Sequence, residues 1–294
     1  MKVGMIGLGV MGSAMAMHLA QAGLLGAVWN RTRHRGEALA NELGVELADD
    51  LSALSATTDV LMTCVSADED LQAVIAELTP ALREGQVVID TSTVGVATVE
   101  AIAAALAKRG VRFIDAPVTG GAEGAQAGTL QVMAGGDAAA LEAVRPALEA
   151  FADTVTHFGE VGAGQRAKAV NQVLAAGMVQ AMTEALAFAD ASGLDTEALL
   201  PVLTHGAMGS RLLERRGARV LAQDFAPGFR MALHHKDLQL CRTLLQSMDV
   251  NLPLVEMTVK HYERLMAQGH GDDDMSALYR LKRELFTTGN RKSL

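Results

Sequence analysis

The chain has 294 residues, enough for one large domain or two smaller ones with a well-packed core. Its net charge of -9 at pH 7 argues against nucleic acid or an anionic membrane surface as a partner. No apolar run predicts a membrane span. The two cysteines and eight histidines are scattered without metal-ligand spacing, so we expect free thiols, a cytoplasmic location and no catalytic metal.

The N-terminal segment reads as a strand, a glycine-rich turn and a helix. A predicted strand, Lys2–Ile6, is followed by Gly7-Leu8-Gly9-Val10-Met11-Gly12 and a predicted helix, Met11–Ala22. In this setting G-x-G-x-x-G indicates a dinucleotide-binding loop, in which Gly9 admits the pyrophosphate and Gly12 permits close helix–strand contact. A plain glycine-rich turn is the alternative. The basic start and apolar stretch also suggest a secretory signal, but the regularly placed glycines favour the loop.

Strands and helices alternate through the first half of the chain. The predicted strands after the first are Ala27–Trp29, Val60–Val65, Val87–Asp90, Arg112–Asp115, Leu130–Ala134 and Thr154–Phe158. The predicted helices between them are His34–Leu43, Asp70–Leu78, Val96–Lys108 and Ala138–Ala150. Apolar strands separated by helices predict an α/β fold with a doubly wound, mostly parallel sheet.

The second half reads as helical throughout. A long helix from about Gly164 ends near Ser192-Gly193, where glycine supplies a stop signal. Further predicted helices are Thr196–His205, Ser210–Ala222, Met231–Ser247, Pro253–Gln268 and Met275–Phe286. We therefore predict two domains, residues 1–162 and an all-helical domain 163–294 entered through the long helix.

The end of the second strand bears on which dinucleotide binds. Many NAD-binding proteins place an acidic residue there for the ribose hydroxyls, but this chain has Asn30-Arg31-Thr32. Asn30 removes a charge that would repel a 2′-phosphate, and Arg31 is placed to pair with that phosphate. The pattern favours NADP(H), with NAD(H) possible; a solvated basic turn is the alternative.

Two further strand ends carry polar residues. Asp115-Ala-Pro-Val-Thr-Gly-Gly121 combines the Thr119 hydroxyl with the exposed N–H groups of Gly120 and Gly121, which suits a carboxylate. Asp90-Thr-Ser-Thr93 ends a neighbouring strand at the same edge of the sheet, where ligands bind in open α/β folds. A plain turn is the alternative for the first segment.

Five motifs in order resemble the β-hydroxyacid dehydrogenase family, which includes 3-hydroxyisobutyrate dehydrogenase, tartronate semialdehyde reductase and the glyoxylate and succinic semialdehyde reductases. They are IGLGVMGSAMAMHL, DTSTVG, DAPVTGG, GEVGAGQRAKAVNQ and HHKDLQL, and they span essentially the whole chain. The resemblance implies a Rossmann-type domain followed by a helical domain, a small carboxylate substrate and a homodimer or homotetramer. It also implies reduction of an aldehyde or keto acid, or the reverse oxidation.

The same resemblance assigns site residues. Lys168 matches the catalytic acid/base; Thr119, Gly120 and Gly121 match the substrate-anchoring segment; Asn171 and Gln172 match substrate-binding amides, where the family usually has two asparagines. Val65, Thr93 and Lys236 are expected at the cofactor, and Phe229 near the substrate. Next to Lys236, His234 and His235 either add positive potential near the cofactor or form a solvated helical face.

Lys168 is the residue on which the activity depends in this interpretation. Lys168 and Asn171 are three residues apart and share one face of a helix. A lysine that only extends to solvent is the alternative. Imine reductases on the same fold generally lack this lysine, and a cofactor-binding scaffold without turnover would not need it. The intact set of Thr119, Lys168 and Lys236 favours an enzyme.

Overall fold

The computed structural model describes residues 1–287, which fold as two compact units, Met1–Lys168 and Ala169 onward. The predicted division at residues 162 and 163 falls where the long helix begins, and this helix runs from the first unit into the second.

The strands, all in the first unit, are β1 Val3–Ile6, β2 Leu25–Trp29, β3 Glu46–Leu47, β4 Val60–Thr63, β5 Val87–Asp90, β6 Arg112–Asp115, β7 Val118–Thr119, β8 Leu130–Gly135 and β9 Ala152–Gly159. The helices of the first unit are α1 Val10–Gln21, α2 Arg33–Leu43, α3 Leu51–Thr57, α4 Asp68–Leu78, α5 Val96–Ala107, α6 Gly121–Ala127 and α7 Ala138–Glu149. Then come α8 Ala163–Ala191, α9 Thr196–His205, α10 Arg211–Leu221, α11 Met231–Gln246, α12 Pro253–Ala267 and α13 Tyr279–Thr287, with short 3-10 turns at Thr79–Ala81 and Met275–Leu278.

The sheet has the order β3-β2-β1-β4-β5-β6-β8-β7, with β9 beside β8. Strands β1 to β6 pair in parallel, β8 runs antiparallel to β6, and β9 runs parallel to β8. This arrangement confirms the predicted mostly parallel, doubly wound sheet.

Both faces of the sheet are covered, because successive residues of each inner strand point to opposite sides. Met5, Met62 and Ile89 pack into one hydrophobic core with residues of α1 and α7. Ile6, Leu61 and Val88 pack into a second core with residues of α3, α4 and α5. The continuous apolar runs recognised in the sequence are therefore strands buried on both sides.

The register of the parallel strands places their carboxyl ends in one row. Ile6 lies opposite Trp29 and Thr63, Thr63 lies opposite Asp90, and Asp90 lies opposite Asp115. The loops that follow these residues therefore leave the sheet at one edge. All the sequence-predicted site residues that precede α8 belong to these loops or directly follow them.

The helical unit has its own core. Val179, Leu186, Leu238, Val259 and Tyr262 are among its buried members. Helix α8 ends before Gly193, whose φ of 67° gives the left-handed conformation that the sequence predicted for a stop. Asp195 and Ser210 cap α9 and α10 by accepting backbone N–H groups of the first turns.

Four short elements were missed by the sequence analysis, namely β3, α3, β7 and α6. Each has two to seven residues, too few for a hydrophobic period to appear. Helix α6 matters most for the predicted site, because it begins at Gly121. The segment predicted as a glycine turn is therefore the start of a helix.

Helix α8 is also long and apolar enough to cross a membrane by length and composition, which the sequence analysis overlooked. Half of its apolar window is buried inside the protein, as in a core helix, so the pattern alone is weak evidence for a span.

Candidate active site

The three glycines of the first loop differ in what a side chain at each position would meet. Gly7 has a φ of 92°, and a Cβ there would collide with the carbonyl oxygen of Cys64. A Cβ at Gly12 would collide with the carbonyl oxygen of Gly7. Gly9, which precedes α1, has nothing within 4 Å of the position where its Cβ would lie, and no side chain caps the helix. The open space at Gly9 and the N–H groups of α1 fit a pyrophosphate.

Asn30 holds this loop in place. Its Oδ1 accepts the backbone N–H of Leu8 at 2.9 Å, and its Nδ2 donates to the carbonyl oxygen of Thr32 at 2.8 Å. The residue predicted to avoid repelling a phosphate therefore also ties the end of β2 to the glycine loop.

Arg31 is largely exposed and pairs with Asp70 of α4, its Nη1 lying 2.6 Å from Oδ1. Arg33 likewise pairs with Asp49 at 3.0 Å. The sequence analysis did not anticipate Asp70, because an ion pair between residues 39 positions apart leaves no local signal.

The loops after β4 and β5 are joined to each other. The backbone N–H of Val65 donates to the Ser92 Oγ at 2.8 Å, and that hydroxyl donates to Asp90 Oδ1 at 2.6 Å. Thr93 follows directly and is half-buried. Burial raises the pKa of the neighbouring Cys64 thiol to about 11, so this thiol is protonated near neutral pH.

The predicted anchoring segment lies on β7 and the start of α6. Thr119 ends β7, and Gly120 and Gly121 have φ values of 135° and 68°. His18 of α1 holds the other end of α6, with its Nε2 3.1 Å from the carbonyl oxygen of Ala125. Thr119 and the two glycines thus occupy a turn that α1 and the sheet support.

Lys168 is buried, with 7% of its surface exposed, so the alternative of a lysine extending to solvent is wrong. Its Nζ donates to the carbonyl oxygen of Val118 at 2.9 Å. Val118 directly precedes Thr119. The ammonium group and the predicted anion-binding turn are therefore neighbours within the first unit.

The first turn of α8 fixes this lysine. Asp115, at the end of β6, accepts the backbone N–H groups of Gly162 at 2.8 Å and Gln165 at 2.9 Å. The Gln165 amide in turn donates to the carbonyl oxygen of Ser92 at 2.9 Å. Burial raises the pKa of Asp115 to about 7, and the two N–H donors act against this shift. Asp115 and Gln165 lie inside the recognised motifs, but the sequence analysis assigned no role to either.

The remaining predicted residues lie in the helical unit. Gln172 is buried, and its Nε2 donates to Asp237 Oδ2 at 2.6 Å. Lys236 Nζ lies 3.0 Å from Asp237 Oδ1, and Asn171 donates to Gln172 Oε1 at 2.8 Å. Phe229 is half-buried against the helical core, with its ring centroid 5.6 Å from that of His234.

His234 is fully buried, so the interpretation of a solvated helical face is wrong for this residue. The other interpretation, positive potential near the cofactor, stays a prediction. The Nδ1 of His234 lies 3.0 Å from the Tyr262 hydroxyl, and its Nε2 lies 3.3 Å from the carbonyl oxygen of Gln172. Within residues 1–287, no group of three or more histidine, cysteine or acidic side chains is arranged to hold a metal ion.

The strand order β3-β2-β1-β4-β5-β6 with a glycine loop after β1 is that of a Rossmann-type dinucleotide-binding domain. A family model for the NAD-binding domain of 6-phosphogluconate dehydrogenase matches residues 2–159. A second model, described as NAD-binding of NADP-dependent 3-hydroxyisobutyrate dehydrogenase, matches residues 162–282.

Individual relatives align over nearly the whole chain. It is 34% identical to the 2-hydroxy-3-oxopropionate reductase of Escherichia coli, over 95% of this chain and 96% of the relative. It is 35% identical to the "Probable 3-hydroxyisobutyrate dehydrogenase-like 1, mitochondrial" of Arabidopsis thaliana, over 94% and 84% of the two chains. A solved 3-hydroxyisobutyrate dehydrogenase of Mycobacterium tuberculosis with L-serine is 30% identical, covers 96% and 99%, and has a TM-score of 0.87.

The chain belongs to the β-hydroxyacid dehydrogenase family, as the sequence resemblance implied. It is accordingly an NAD(P)-dependent enzyme of the hydroxyacid dehydrogenase and semialdehyde reductase type.

Proposed function

We propose that the protein is an NADPH-dependent reductase of small aldehyde or keto acids, also able to run the reverse oxidation, with Lys168 as the general acid/base. The observation that carries this proposal is the bond from Lys168 Nζ to the Val118 carbonyl, one residue before Thr119. A buried ammonium bonded to the residue before Thr119, with two left-handed glycines following, suits a substrate that has a carbonyl near a carboxylate.

The cofactor would lie along the edge of the sheet where the parallel strands end. Gly9 and the N-terminal residues of α1 suit the pyrophosphate, and Asn30, Arg31 and Thr32 suit the adenosine end. Leu8, Val10 and Met11 complete the loop, and we assign Val65, Thr93 and Lys236 to the nicotinamide end. When bound, NADPH supplies the hydride that the reduction needs.

The protein groups would then divide the remaining tasks. Thr119 and the N–H groups of Gly120 and Gly121 hold the carboxylate, which orients the substrate carbonyl. Protonated Lys168 donates a hydrogen bond to the carbonyl oxygen, stabilises the negative charge that develops there, and transfers its proton to it. In the oxidation the same amine accepts the hydroxyl proton. We place Asn171, Gln172 and Phe229 on the substrate side of this arrangement.

Cofactor preference can be tested at one ion pair. Arg31→Asp should weaken NADPH binding by about 10- to 100-fold, the range expected when a charge-assisted hydrogen bond is lost. Asp70→Asn should strengthen NADPH binding by up to about fivefold, since Asp70 competes with the phosphate for an exposed arginine. Fluorescence titration with NADPH and NADH measures both. Equal changes for the two cofactors, or a wild-type preference for NADH, would contradict the assignment.

Substrate class is tested with a panel of aldehyde acids and a neutral aldehyde. With NADPH, we expect turnover of glyoxylate or of the succinic, tartronate or methylmalonate semialdehydes. Thr119→Ala should raise KM for the best of these by about 10- to 100-fold, as for the loss of a charge-assisted hydrogen bond. Thr119→Ser, which keeps the hydroxyl, is the matched control. An equal loss for the neutral aldehyde would contradict carboxylate binding at Thr119.

The proposal also includes a homo-oligomeric state and a cytoplasmic location. Val170, Leu174 and Phe188 are exposed along α8, as is common where subunits pack, and this supports a homodimer or homotetramer. The two free thiols are consistent with a cytoplasmic location. The buried Lys168 favours the reductase over an imine reductase or a cofactor-binding scaffold.

A further inference from the structure

A buried side-chain amide on α8 bonds the backbone on both sides of Thr93. Gln165 Oε1 accepts the backbone N–H of Val94 at 3.3 Å, and Gln165 Nε2 donates to the carbonyl oxygen of Ser92 at 2.9 Å. Ser92, Val94 and Gln165 are each 3% exposed, so water competes little for these two bonds. Thr93 itself is half-buried. We call the two bonds the Gln165 clamp.

The two backbone groups fix the orientation of this amide. A backbone N–H only donates a hydrogen bond and a carbonyl oxygen only accepts one. Val94 therefore requires the oxygen of the Gln165 amide, and Ser92 requires its NH2 group. The side chain thus meets the segment around Thr93 much as the backbone of a neighbouring strand would.

The same turn of α8 carries Lys168. Gln165 and Lys168 are three residues apart in this helix and share one face of it. Gln165 reaches the loop after β5, whereas Lys168 reaches the Val118 carbonyl after β6 at 2.9 Å. Asp115, the last residue of β6, accepts the backbone N–H of Gln165 at 2.9 Å. This turn is therefore fixed to both strand ends, and the place of Lys168 relative to Thr93 is set through it.

We propose that Gln165 is a positioning residue, which holds Thr93 in a fixed place relative to Lys168 and so aligns the nicotinamide end of the cofactor with the proton donor. The inference rests on the proposed function, in which Thr93 lies at the nicotinamide end and Lys168 transfers the proton. Reduction delivers a hydride to the carbon and a proton to the oxygen of one carbonyl group, so both donors must keep one geometry. In this role Gln165 acts only through the residues that it fixes.

Binding and alignment depend on different groups in this arrangement. The pyrophosphate is assigned to Gly9 and α1, and the substrate carboxylate to Thr119 and its two glycines. Gln165 is bonded instead to Asp115 and to the loop after β5. Loss of the clamp should therefore slow the hydride step and leave the binding of NADPH and substrate nearly unchanged, since a misplacement of about 1 Å can cost about 10²-fold in rate.

Gln165→Met tests the alignment, because methionine is close to glutamine in shape and makes neither bond. Hydride transfer is followed as loss of NADPH in a single turnover with saturating aldehyde acid. Its rate constant should fall by about 10- to 100-fold, whereas the Kd of NADPH and the KM of the aldehyde acid should change by less than about threefold. A merely structural role would lower the amplitude of the turnover, which counts folded sites, but not its rate constant. An unchanged rate constant, or an equal loss of NADPH affinity, overturns the proposal.

Gln86 offers a matched control in the same unit. It is 5% exposed, its Oε1 accepts the backbone N–H of Arg83 at 2.7 Å, and its Nε2 donates to the carbonyl oxygens of Ser55 and Thr58 at 3.0 and 2.8 Å. Gln86 directly precedes β5 and so lies at the opposite end of the strands from the proposed site. Gln86→Met should lower the Tm, because bonds of the same kind are lost, and leave the rate constant within about twofold of wild type. A similar fall in rate constant in both methionine variants would reflect a general loss of packing and overturns the proposal.

Gln165→Asn is the second variant, used if Gln165→Met does not fold. Its amide is one methylene shorter and cannot reach both backbone groups from the same backbone position. The same fall in the rate constant is expected, and a wild-type rate constant overturns the proposal.

Failure of the proposed function gives a different result. If wild type oxidises NADPH with none of the aldehyde acids, the proposed function fails, and the alignment fails with it. The clamp is then tested by hydrogen exchange, in which Gln165→Met should speed exchange of the Val94 N–H and Gln86→Met should not. Unchanged exchange at Val94 overturns the clamp as well.

Discussion

Replacing Lys168 by alanine should lower kcat by at least about 10²-fold, the range typical of a positioned acid or base. The loss has two parts, because in the proposed mechanism the ammonium group both donates the proton and stabilises the negative charge on the carbonyl oxygen. KM should change less than kcat, since Thr119 and its glycines are proposed to hold the carboxylate end of the substrate. Steady-state kinetics with NADPH and the best aldehyde acid measure both values.

The structure adds a stability effect to this prediction. Lys168 is buried and bonded to the Val118 carbonyl, so the alanine variant leaves that oxygen without this donor and should lose about 1–3 kcal/mol of stability. Activity is therefore compared well below the Tm of the variant. Lys168→Arg, which keeps the charge but scarcely releases a proton, should not restore turnover. Near wild-type kcat in the alanine variant would refute general acid catalysis by this residue.

Gly12→Ala should destabilise the fold, whereas Gly9→Ala should spare the fold and weaken cofactor binding. At Gly12 the new Cβ meets the Gly7 carbonyl oxygen, and moving backbone in a packed turn typically costs about 1–3 kcal/mol. At Gly9 the new Cβ meets no protein atom within 4 Å, but it enters the space proposed for the pyrophosphate.

The variants Gly12→Ala and Gly9→Ala separate effects on folding from effects on cofactor binding within one motif. Thermal unfolding without cofactor should show a lowered Tm for Gly12→Ala and a Tm near wild type for Gly9→Ala. Titration with NADPH should show at least about a tenfold weaker Kd for Gly9→Ala, since a cofactor phosphate would lose backbone N–H contacts. Tight NADPH binding by Gly9→Ala would place the pyrophosphate elsewhere.

The sequence predicted those parts of the fold whose signal is local. The apolar runs of β5 and β6 match their predicted bounds, and the glycine spacing after β1 marked the turn into α1. Helix α6 escaped prediction because GAEGAQA contains no large apolar residue from which to read a period. That the segment between Thr119 and β8 forms a helix is known only from the structure.

The site was predicted as a set of residue types, but not as a set of contacts. Lys168 and Thr119 were recognised separately, whereas the bond from Lys168 to Val118 joins residues 50 positions apart. Asp115, which anchors α8, and Asp237, which accepts from Gln172, each bond residues at least 47 positions away. Single-sequence patterns do not encode partners at such separations. The burial of His234 was missed for the same reason, because its partners Tyr262 and Gln172 lie 28 and 62 positions away.

Two successive parts of helix α8 are held by different sets of residues. Lys168 and the first turn of the helix are fixed by Asp115, Gln165 and Val118, all within residues 1–168. One turn later, Gln172 is held by Asp237, which belongs to the helical unit. Under the proposed function, we expect substitutions around Gln172 to change which substrates are accepted while Lys168 keeps its own supports. We then expect a single continuous helix to keep the chemistry constant as substrate choice diverges.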